Sequence, residues 1–244
     1  MVGSDTEGRV ASLKVPVFMA SALADAWLAD ALLEHASVAS FARFTMELLA
    51  VGAPLDMIAD AQKAGLDEVA HAEACFELAH AHAPLHPKAA AGPLSLRELT
   101  IRDSLAEVAA AAVIEGCCGE TVAALALARA SAFCTNPRTK AILAQIAEDE
   151  ARHAELAFRF VAWAVATGAD EVRSAVRLAF ERERSSLVTA CEAPLQTDAS
   201  DEARGWRSAG RLTDRDLADV RREAANLLLE PAAKLLGQSE SYIC

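Results

Sequence analysis

The chain has 244 residues, 53% of them hydrophobic and only 5% aromatic, and Asp and Glu (35) outnumber Lys and Arg (23) to give a formal net charge of −12. This length suits one good-sized core, and a composition rich in Ala and poor in aromatic residues favours close-packed helices over strands. The negative charge disfavours a nucleic acid partner, and no uninterrupted apolar run reaches the roughly 20 residues of a membrane span.

The first two predicted helices form a hairpin. A loose, polar, flexible arm is expected for residues 1–14, followed by a helix from about Phe18 to Ala50, where a Gly and a Pro supply the stop. The second helix begins just after Pro54 and ends near Ala81. Because the loop between them is short, we expect the two helices to be antiparallel neighbours.

A second hairpin is predicted after a long connection. Residues 83–103 contain several Pro and Gly breaks and are enough to run the length of a bundle. A third helix is expected over 104–133, opened by a capping box of Ser104 and Glu107, and an Asn-Pro pair opens a fourth helix over 136–168. Residues 15–168 are therefore expected to form the main helical domain.

The remaining residues, 169–244, are expected to be a helical extension packed on that domain or building a homodimer contact. We predict helices over 170–190 and 213–229 with a polar loop at 192–211 between them, and Pro231 breaking the last helix. The last helix is expected to open with Thr213 and Asp216.

The pattern Asp-Glu-x-x-His-Ala-Glu occurs twice, at residues 67–73 and 149–155, each time within a predicted helix. Glu and His three positions apart lie on one face of an α-helix, so a carboxylate oxygen and an imidazole nitrogen can reach the same point. Glu34 precedes the first copy's Glu by 34 residues and Glu115 precedes the second copy's by 35. A Glu-x-x-His on each of two helices, completed by one Glu from each of two others, is the pattern of a two-metal site inside a bundle.

Four carboxylates and two imidazoles around one point suit two divalent ions of the iron or manganese kind. They supply too many oxygens for structural zinc and nitrogen donors that calcium does not use. The candidate ligands, which would also be the catalytic residues, are Glu34, Glu68, His71, Glu115, Glu150 and His153. The other histidines, His35, His80, His82 and His86, are expected at ordinary packed or surface positions.

The helix that carries Glu115 leaves an alternative open. Glu120 lies five residues further on, too far round a straight α-helix, but a π-bulge would bring it close as the true or an additional ligand. Gly116 and Gly119 disfavour a plain helix interior, which indicates either close helix packing or a local bulge beside a small pocket. We predict that the rings of Trp27 and Phe41 flank Glu34 on the first helix.

The six cysteines form no Cys-x-x-Cys pair, so the sequence encodes neither a zinc ribbon nor a rubredoxin-type iron site. Most of them are expected to be small apolar core residues in a reducing compartment. The apolar segment Val15 to Ala24 merges into the first helix, which disfavours a signal peptide. We therefore expect a cytoplasmic protein without a membrane partner.

From about Asp25 to Trp163 the constellation resembles the ferritin-like di-iron carboxylate superfamily, which includes ferritins, bacterioferritin, rubrerythrin and oxygen-activating hydroxylases. The resemblance implies an all-α fold, a four-helix bundle with a long crossover between helices 2 and 3. It also implies that Glu68 and Glu150 bridge two metal ions, while Glu34 with His71 and Glu115 with His153 are terminal ligands. Asp67 and Asp149 would accept hydrogen bonds from the imidazoles.

The resemblance is specific for fold and metal site, not for the reaction. We expect a non-haem di-iron oxidase or oxygenase, such as a hydroxylase, that uses O₂, a small organic substrate and an electron donor such as a reductase or ferredoxin. Manganese or a mixed Mn/Fe pair also fits the ligands. The alternatives are iron oxidation and storage, or peroxide removal of the rubrerythrin or manganese catalase kind. The only tyrosine, Tyr242, lies far from any predicted ligand, so no stored tyrosyl radical is expected.

Overall fold

A computed structural model describes residues 17–83, 91–97, 99–190 and 200–237, and all regular structure in these residues is helical. The all-α prediction is confirmed for this part of the chain. The predicted N-terminal arm and Tyr242 lie outside the described residues, as do His86, Cys191 and Cys244.

The first hairpin consists of α1 (Val17–Ala50) and α2 (Leu55–His82), which pack along each other as predicted. The turn uses Gly52 at a φ of 69°, in the left-handed region that favours glycine. The amide of Ala53 then donates to the carbonyl oxygen of Leu48 at 2.9 Å, which satisfies one of the last carbonyl groups of α1.

The third long helix is continuous from Leu105 to Phe133 but not uniform. It comprises α3 (Leu105–Ala111), a π-helical segment (Ala112–Glu120) and α4 (Thr121–Phe133). The predicted capping box at its start is wrong, because the Ser104 side chain makes no capping hydrogen bond.

The fourth long helix, α5 (Pro137–Thr167), packs against both the π segment and α4. Its start is as predicted: the Asn136 side chain accepts from the amides of Arg138 at 3.0 Å and Thr139 at 3.2 Å. Helix α5 also packs against α2, so the two helices that carry the repeated motif are the ones that join the two hairpins.

Two apolar clusters fill the space between these helices. One contains Leu48, Val113 and Phe160, and the other contains Leu23 and Leu143, from the opposite ends of the same helices. The repeated motif falls between the two clusters, midway along α2 and α5. Apolar packing on both sides therefore fixes the helices that position the polar residues.

The C-terminal extension contains α6 (Asp170–Thr189), α7 (Asp201–Ser208), α8 (Asp214–Leu227) and α9 (Leu229–Leu236). They pack on the third and fourth long helices. Helix α6 contacts α3, the π segment and α5. Helices α7 and α8 both contact α4, while α9 contacts α5.

The prediction of a loop over 192–211 is wrong for α7. Ser200 opens that helix by accepting from the amide of Ala203 at 3.1 Å. The predicted start of a helix at Thr213 and Asp216 is confirmed, and the two residues form a capping box there. Pro231 lies in the first turn of α9, where a missing amide hydrogen leaves no bond unmade, so the chain resumes a helix there.

Among the described residues, the continuous helix Leu105–Phe133 is long and apolar enough to cross a membrane by length and composition alone. Core helices of proteins that never enter a membrane pass the same test. Here the helix packs against α5 along the π segment and α4.

Candidate metal centre

The two copies of the motif meet between α2 and α5. Glu68 and His71 project from α2, Glu150 and His153 project from α5, and each of these four residues is at most 3% exposed. Burying charged and polar groups is unfavourable unless they are paired, so their arrangement carries the chemistry of this centre.

The imidazoles are held crosswise by aspartates of the opposite helix. His71 Nε2 lies 3.0 Å from Asp149 Oδ2, and His153 Nε2 lies 3.3 Å from Asp67 Oδ2. Because a carboxylate can only accept a hydrogen bond, each Nε2 donates. Both Nδ1 atoms then face the space between the helices, the orientation in which an imidazole is presented to a metal ion.

The carboxylates of Glu68 and Glu150 lie between the two imidazoles. His71 Nδ1 is 3.4 Å from Glu150 Oε1 and 3.7 Å from Glu68 Oε2. His153 Nδ1 is 3.2 Å from Glu68 Oε1 and 3.4 Å from Glu150 Oε2. Each carboxylate thus directs one oxygen to each imidazole.

Two further acids complete the centre, one on each side. Glu34 Oε2 lies 4.0 Å from His71 Nδ1. The ligand atoms of Glu34, Glu68, His71 and Glu150 all lie within 4.8 Å of one another, and so do those of Glu120, Glu150 and His153. We call these sets the His71 group and the His153 group. Together they could hold a metal ion with oxygen and imidazole nitrogen ligands.

The structure does not bring Glu115 into either group. Its side chain is 45% exposed and forms ion pairs with Arg43 and with Arg102, the latter at 3.2 Å. At the position expected for Glu115 the structure places Glu120, the alternative that a π-bulge allows. The wider turns of the π segment change the direction of the side chains that follow, and two guanidinium groups hold Glu115 at the surface.

Of the two alternatives for these glycines, close helix packing is found at Gly116, whereas the bulge at Gly119 has no pocket beside it. A Cβ on Gly116 would lie 2.3 Å from the Cβ of Ala157, so the π segment and α5 approach closely at that point. Gly119 is exposed and lines none of the three cavities beside the centre, so it does not create the expected pocket. The signal for Glu120 in the sequence was the Gly-containing run before it, which favours a non-α backbone.

Burial raises the pKa of Glu34 to about 9 and that of Glu120 to about 11. The neighbouring carboxylates add to the effect, because Glu68 and Glu150 lie close enough to repel a second negative charge. Without metal, both acids therefore hold a proton at neutral pH.

The pKa values of the two imidazoles and of the two central carboxylates shift in the direction opposite to the one that burial alone would cause. Burial alone would lower the pKa of each imidazole, but the neighbouring carboxylates of Glu150 and Glu68 raise the pKa of His71 to about 11 and that of His153 to about 9. Burial alone would raise the pKa of Glu68 and Glu150, yet the two imidazoles hold both below the usual range. The metal-free centre is therefore neutral, with protons on Glu34, Glu120 and both histidines.

Three buried atoms of the centre lack a hydrogen bond of good geometry, although each Nδ1 lies 3.2 to 3.4 Å from a carboxylate oxygen: Glu68 Oε2, His71 Nδ1 and His153 Nδ1. A buried polar atom without a partner costs about 1 to 3 kcal/mol, so several in one place require an explanation. All three are good metal ligands and converge on one space. A bound cation would satisfy them together, so the residues present fit a metal ion.

No family model, no curated protein and no solved structure matches this chain.

Three cavities reach the centre. One, of about 460 Å³, is lined mainly by charged residues of α2 and α5 and touches the centre at His153. The other two open on its carboxylates, and the larger of these two, about 330 Å³, is lined by Glu34, Glu68, Glu120 and Glu150. Its walls include apolar side chains of α1, α4 and α5, together with residues of the C-terminal extension. They are Trp27, Leu33, Ala123, Ala126, Leu127, Ala130, Leu143, Leu212 and Leu217.

The smaller cavity, about 50 Å³, lies on the side of His153 and Glu120 and is lined by Phe41, Phe44 and Ala157 among others. The Phe41 ring meets the His153 ring edge to face, with centroids 4.9 Å apart. Trp27 is 1% exposed and lines the larger cavity. The predicted rings therefore lie on opposite sides of the centre, as their spacing around Glu34 indicated.

Proposed function

We propose that the chain is a ferritin-like four-helix bundle that binds two iron ions and activates O₂ for the oxidation of a small organic molecule. The bundle would consist of α1, α2, the helix Leu105–Phe133 and α5, with the long connection after α2 as the crossover between its two hairpins. Support for this arrangement comes from the packing of α1 on α2, of α4 on α5, and of α2 on α5.

Support for two metal ions comes from the way the central carboxylates divide their oxygens. The His71 group would bind one ion and the His153 group the other, with Glu68 and Glu150 bridging them. Glu34 and Glu120 would then be the terminal carboxylates. Four carboxylates and two neutral imidazoles carry a charge of −4, which two divalent ions balance, so loading the centre preserves its neutrality.

Iron or manganese is the metal that this donor set suits best, because hard carboxylate oxygens outnumber imidazole nitrogens and no thiolate is present in either group. We favour iron. When bound, two ferrous ions would supply electrons for the reduction of O₂ beside the substrate. The protein's residues would fix the imidazoles through Asp67 and Asp149, hold the bridging carboxylates and exclude water with apolar walls.

The larger cavity is the observation that favours an enzyme over an iron store. It lies in contact with four carboxylates of the centre, its walls are mostly apolar, and its volume of about 330 Å³ lies within the usual range for small-molecule sites. An iron store has no use for a substrate-sized cavity beside the metal ligands. Repeated turnover would require electrons from a partner such as a reductase or ferredoxin.

The proposal is tested by loading the metal-free protein with ferrous iron under anaerobic conditions, measuring metal content and then following absorption after O₂ is added. We expect two irons per chain, rapid O₂ consumption, and loss of most metal in Glu68→Ala and in Glu150→Ala. Glu120→Ala should lose the ion of the His153 group, whereas the matched variant Glu115→Ala should keep both ions. Equal metal content in Glu115→Ala and Glu120→Ala would contradict the ligand set.

Other chemistries on the same ligands give different results in that experiment. A hollow assembly that accumulates mineral iron would establish storage in place of the enzyme. Rapid decomposition of hydrogen peroxide by a manganese-loaded protein would establish a catalase-like activity.

A further inference from the structure

The larger cavity has an outer wall that belongs to the C-terminal extension. Gly210, Arg211 and Leu212, at the corner between α7 and α8, line it together with Leu217 of α8. Across the cavity lie the carboxylates of the metal centre. The extension therefore closes the space beside the centre and adds one strongly basic group to it.

This corner is held rigidly. The buried Asp216 accepts from Arg207 Nε and Nη2, both at 2.9 Å, and from the amide of Thr213 at 3.0 Å. The indole of Trp206 donates to the carbonyl oxygen of Leu212 at 3.0 Å. These bonds fix the backbone on both sides of Arg211, and the contacts of its guanidinium with Asp30 and Trp27 fix the side chain before any ligand arrives.

Gly210 shows how close the corner lies to the bundle. Its φ of 84° is in the left-handed region, and a Cβ there would lie 2.8 Å from Leu143 Cδ1. Only glycine satisfies both the conformation and the space. The corner is thus pressed against α5 at the position that brings Arg211 into the cavity.

The guanidinium of Arg211 is both paired and stacked. It makes two hydrogen bonds to the carboxylate of Asp30 on α1, and its central carbon lies 4.5 Å from the centroid of the Trp27 ring. Arg211 and Asp30 both line the cavity, with side chains 18% and 32% exposed. A partly desolvated charge pair at the edge of a mostly apolar cavity is expensive for stability alone, which favours a role in recognition.

Arg211 keeps hydrogen-bond donors, and Asp30 keeps acceptor positions, that their mutual bonds do not use. A guanidinium has five N–H donors and a carboxylate about four acceptor positions, and the two bonds between Arg211 and Asp30 use two of each. Donors of a cation and acceptors of an anion therefore remain side by side. Since the pair is neutral, the ligand group that complements it best is also neutral overall but carries both charges.

We propose that this cavity binds a free α-amino acid with an aliphatic side chain. The ligand's carboxylate binds Arg211, its ammonium group binds Asp30, and its side chain lies against Ala123, Ala126 and Leu127 toward the metal centre. The inference rests on the proposed function, of which it names the substrate class. A simple carboxylic acid or a simple amine would leave one member of the pair unused and bring an unbalanced charge into the cavity.

The spacing along α1 agrees with a ligand of this size. Asp30 lies one helical turn before the metal ligand Glu34, which is about 6 Å along the axis. A head group anchored at Asp30 therefore places the first few carbons of a side chain beside the carboxylates of the centre. Apart from Asp30 and Arg211, the charged residues that line the cavity are the four carboxylates of the centre, which the metal ions would occupy, so a polar side chain of the ligand finds no further charged partner there.

The test measures binding directly, by calorimetry on the full-length, metal-loaded protein in the absence of O₂. Three probes share the 3-methylbutyl group: leucine, 4-methylpentanoic acid, which lacks the amine, and 3-methylbutylamine, which lacks the carboxylate. We expect leucine to bind at least about tenfold more tightly than either analogue, the effect of one lost charge-assisted hydrogen bond. Equal or tighter binding of either analogue, or no binding of leucine, would overturn the proposal.

Variants assign the binding to this cavity. Arg211→Gln and Asp30→Asn should each weaken leucine binding about tenfold or more. Asp30→Asn should instead strengthen the binding of 4-methylpentanoic acid, because Arg211 is then left without a charge partner other than the ligand. Ala126→Phe fills the cavity without touching the charge pair and should abolish binding even if the other two variants unfold. Arg138→Gln, which removes an exposed ion pair with Glu77, is the matched control and should bind like the original protein. Leucine binding that survives Ala126→Phe would refute the site.

Failure of this inference is distinguishable from failure of the proposed function. Leucine binding with the expected variant pattern but no O₂ consumption by the ferrous protein would retain the amino acid site and reject the oxidase. O₂ consumption without leucine binding would retain the oxidase and reject the amino acid.

Discussion

Loading the metal-free protein with two divalent ions should release about four protons per chain at pH 7. Four groups of the centre hold a proton at that pH, since the pKa of Glu34 and His153 is raised to about 9 and that of Glu120 and His71 to about 11. Metal ligands must be deprotonated, so each of these protons leaves when the ions bind. Two divalent ions, with four positive charges, thus replace four protons, and the net charge of the buried centre stays at zero.

Calorimetric titration with Mn²⁺ or anaerobic Fe²⁺ in buffers of different ionisation enthalpy measures this number, because the observed heat changes linearly with the heat of protonating the buffer. The slope should be about four per chain, and the product of the two binding constants should rise by about four powers of ten per pH unit near pH 7. Glu120→Gln should lower the slope to about two, because the ion of the His153 group is lost. A slope below one, or a slope of about two with a single ion in the original protein, would refute the reasoning.

Three further predictions concern the structure around the centre. Asp149→Asn should weaken metal affinity about 10- to 100-fold by releasing the His71 ring, measured by competition with a chelator, and unchanged affinity would refute its role. Gly116→Ala should destabilise the fold by about 1 to 3 kcal/mol in chemical denaturation, because its Cβ would lie 2.3 Å from that of Ala157. Gly119→Ala is the control and should be neutral or stabilising by up to about 1 kcal/mol, so equal losses would contradict the packing. Without metal, groups with a raised pKa such as Glu34 and His153 stabilise the fold at low pH and lose that contribution as pH rises toward 9. The melting temperature of the metal-free protein should therefore fall from pH 7 to pH 9. A rise in melting temperature over this range would refute the pKa shifts.

The sequence predicts five of the six proposed ligands, because their spacing depends only on regular helices. Glu68 with His71 and Glu150 with His153 share a helix face at any position of an α-helix, and Glu34 is placed by the short loop after α1. Glu120 depends on the phase of a helix that leaves the α conformation over Ala112–Glu120. The glycines in the sequence can indicate such a segment, but they do not predict by what angle it rotates the side chains that follow around the helix axis.

The outer wall of the cavity was beyond sequence reasoning for a different reason. Residues 192–211 read as a polar loop, although Ser200 caps α7 and the corner that follows brings Arg211 to Asp30. The two partners are separated by 181 residues, and no periodicity connects them. Only the packed structure shows that the extension contributes to the space beside the metal centre.

The doubled motif suggested that each hairpin carries its own half of the metal site, but the hydrogen bonds divide the site differently. His71 of the first hairpin is oriented by Asp149 of the second, and His153 of the second is oriented by Asp67 of the first. Glu68 and Glu150 likewise each direct an oxygen to the imidazole of the other helix. Neither hairpin alone can therefore present a complete set of oriented ligands. Metal binding and the docking of α2 on α5 must stabilise each other, because every ligand contact that forms requires both helices in place.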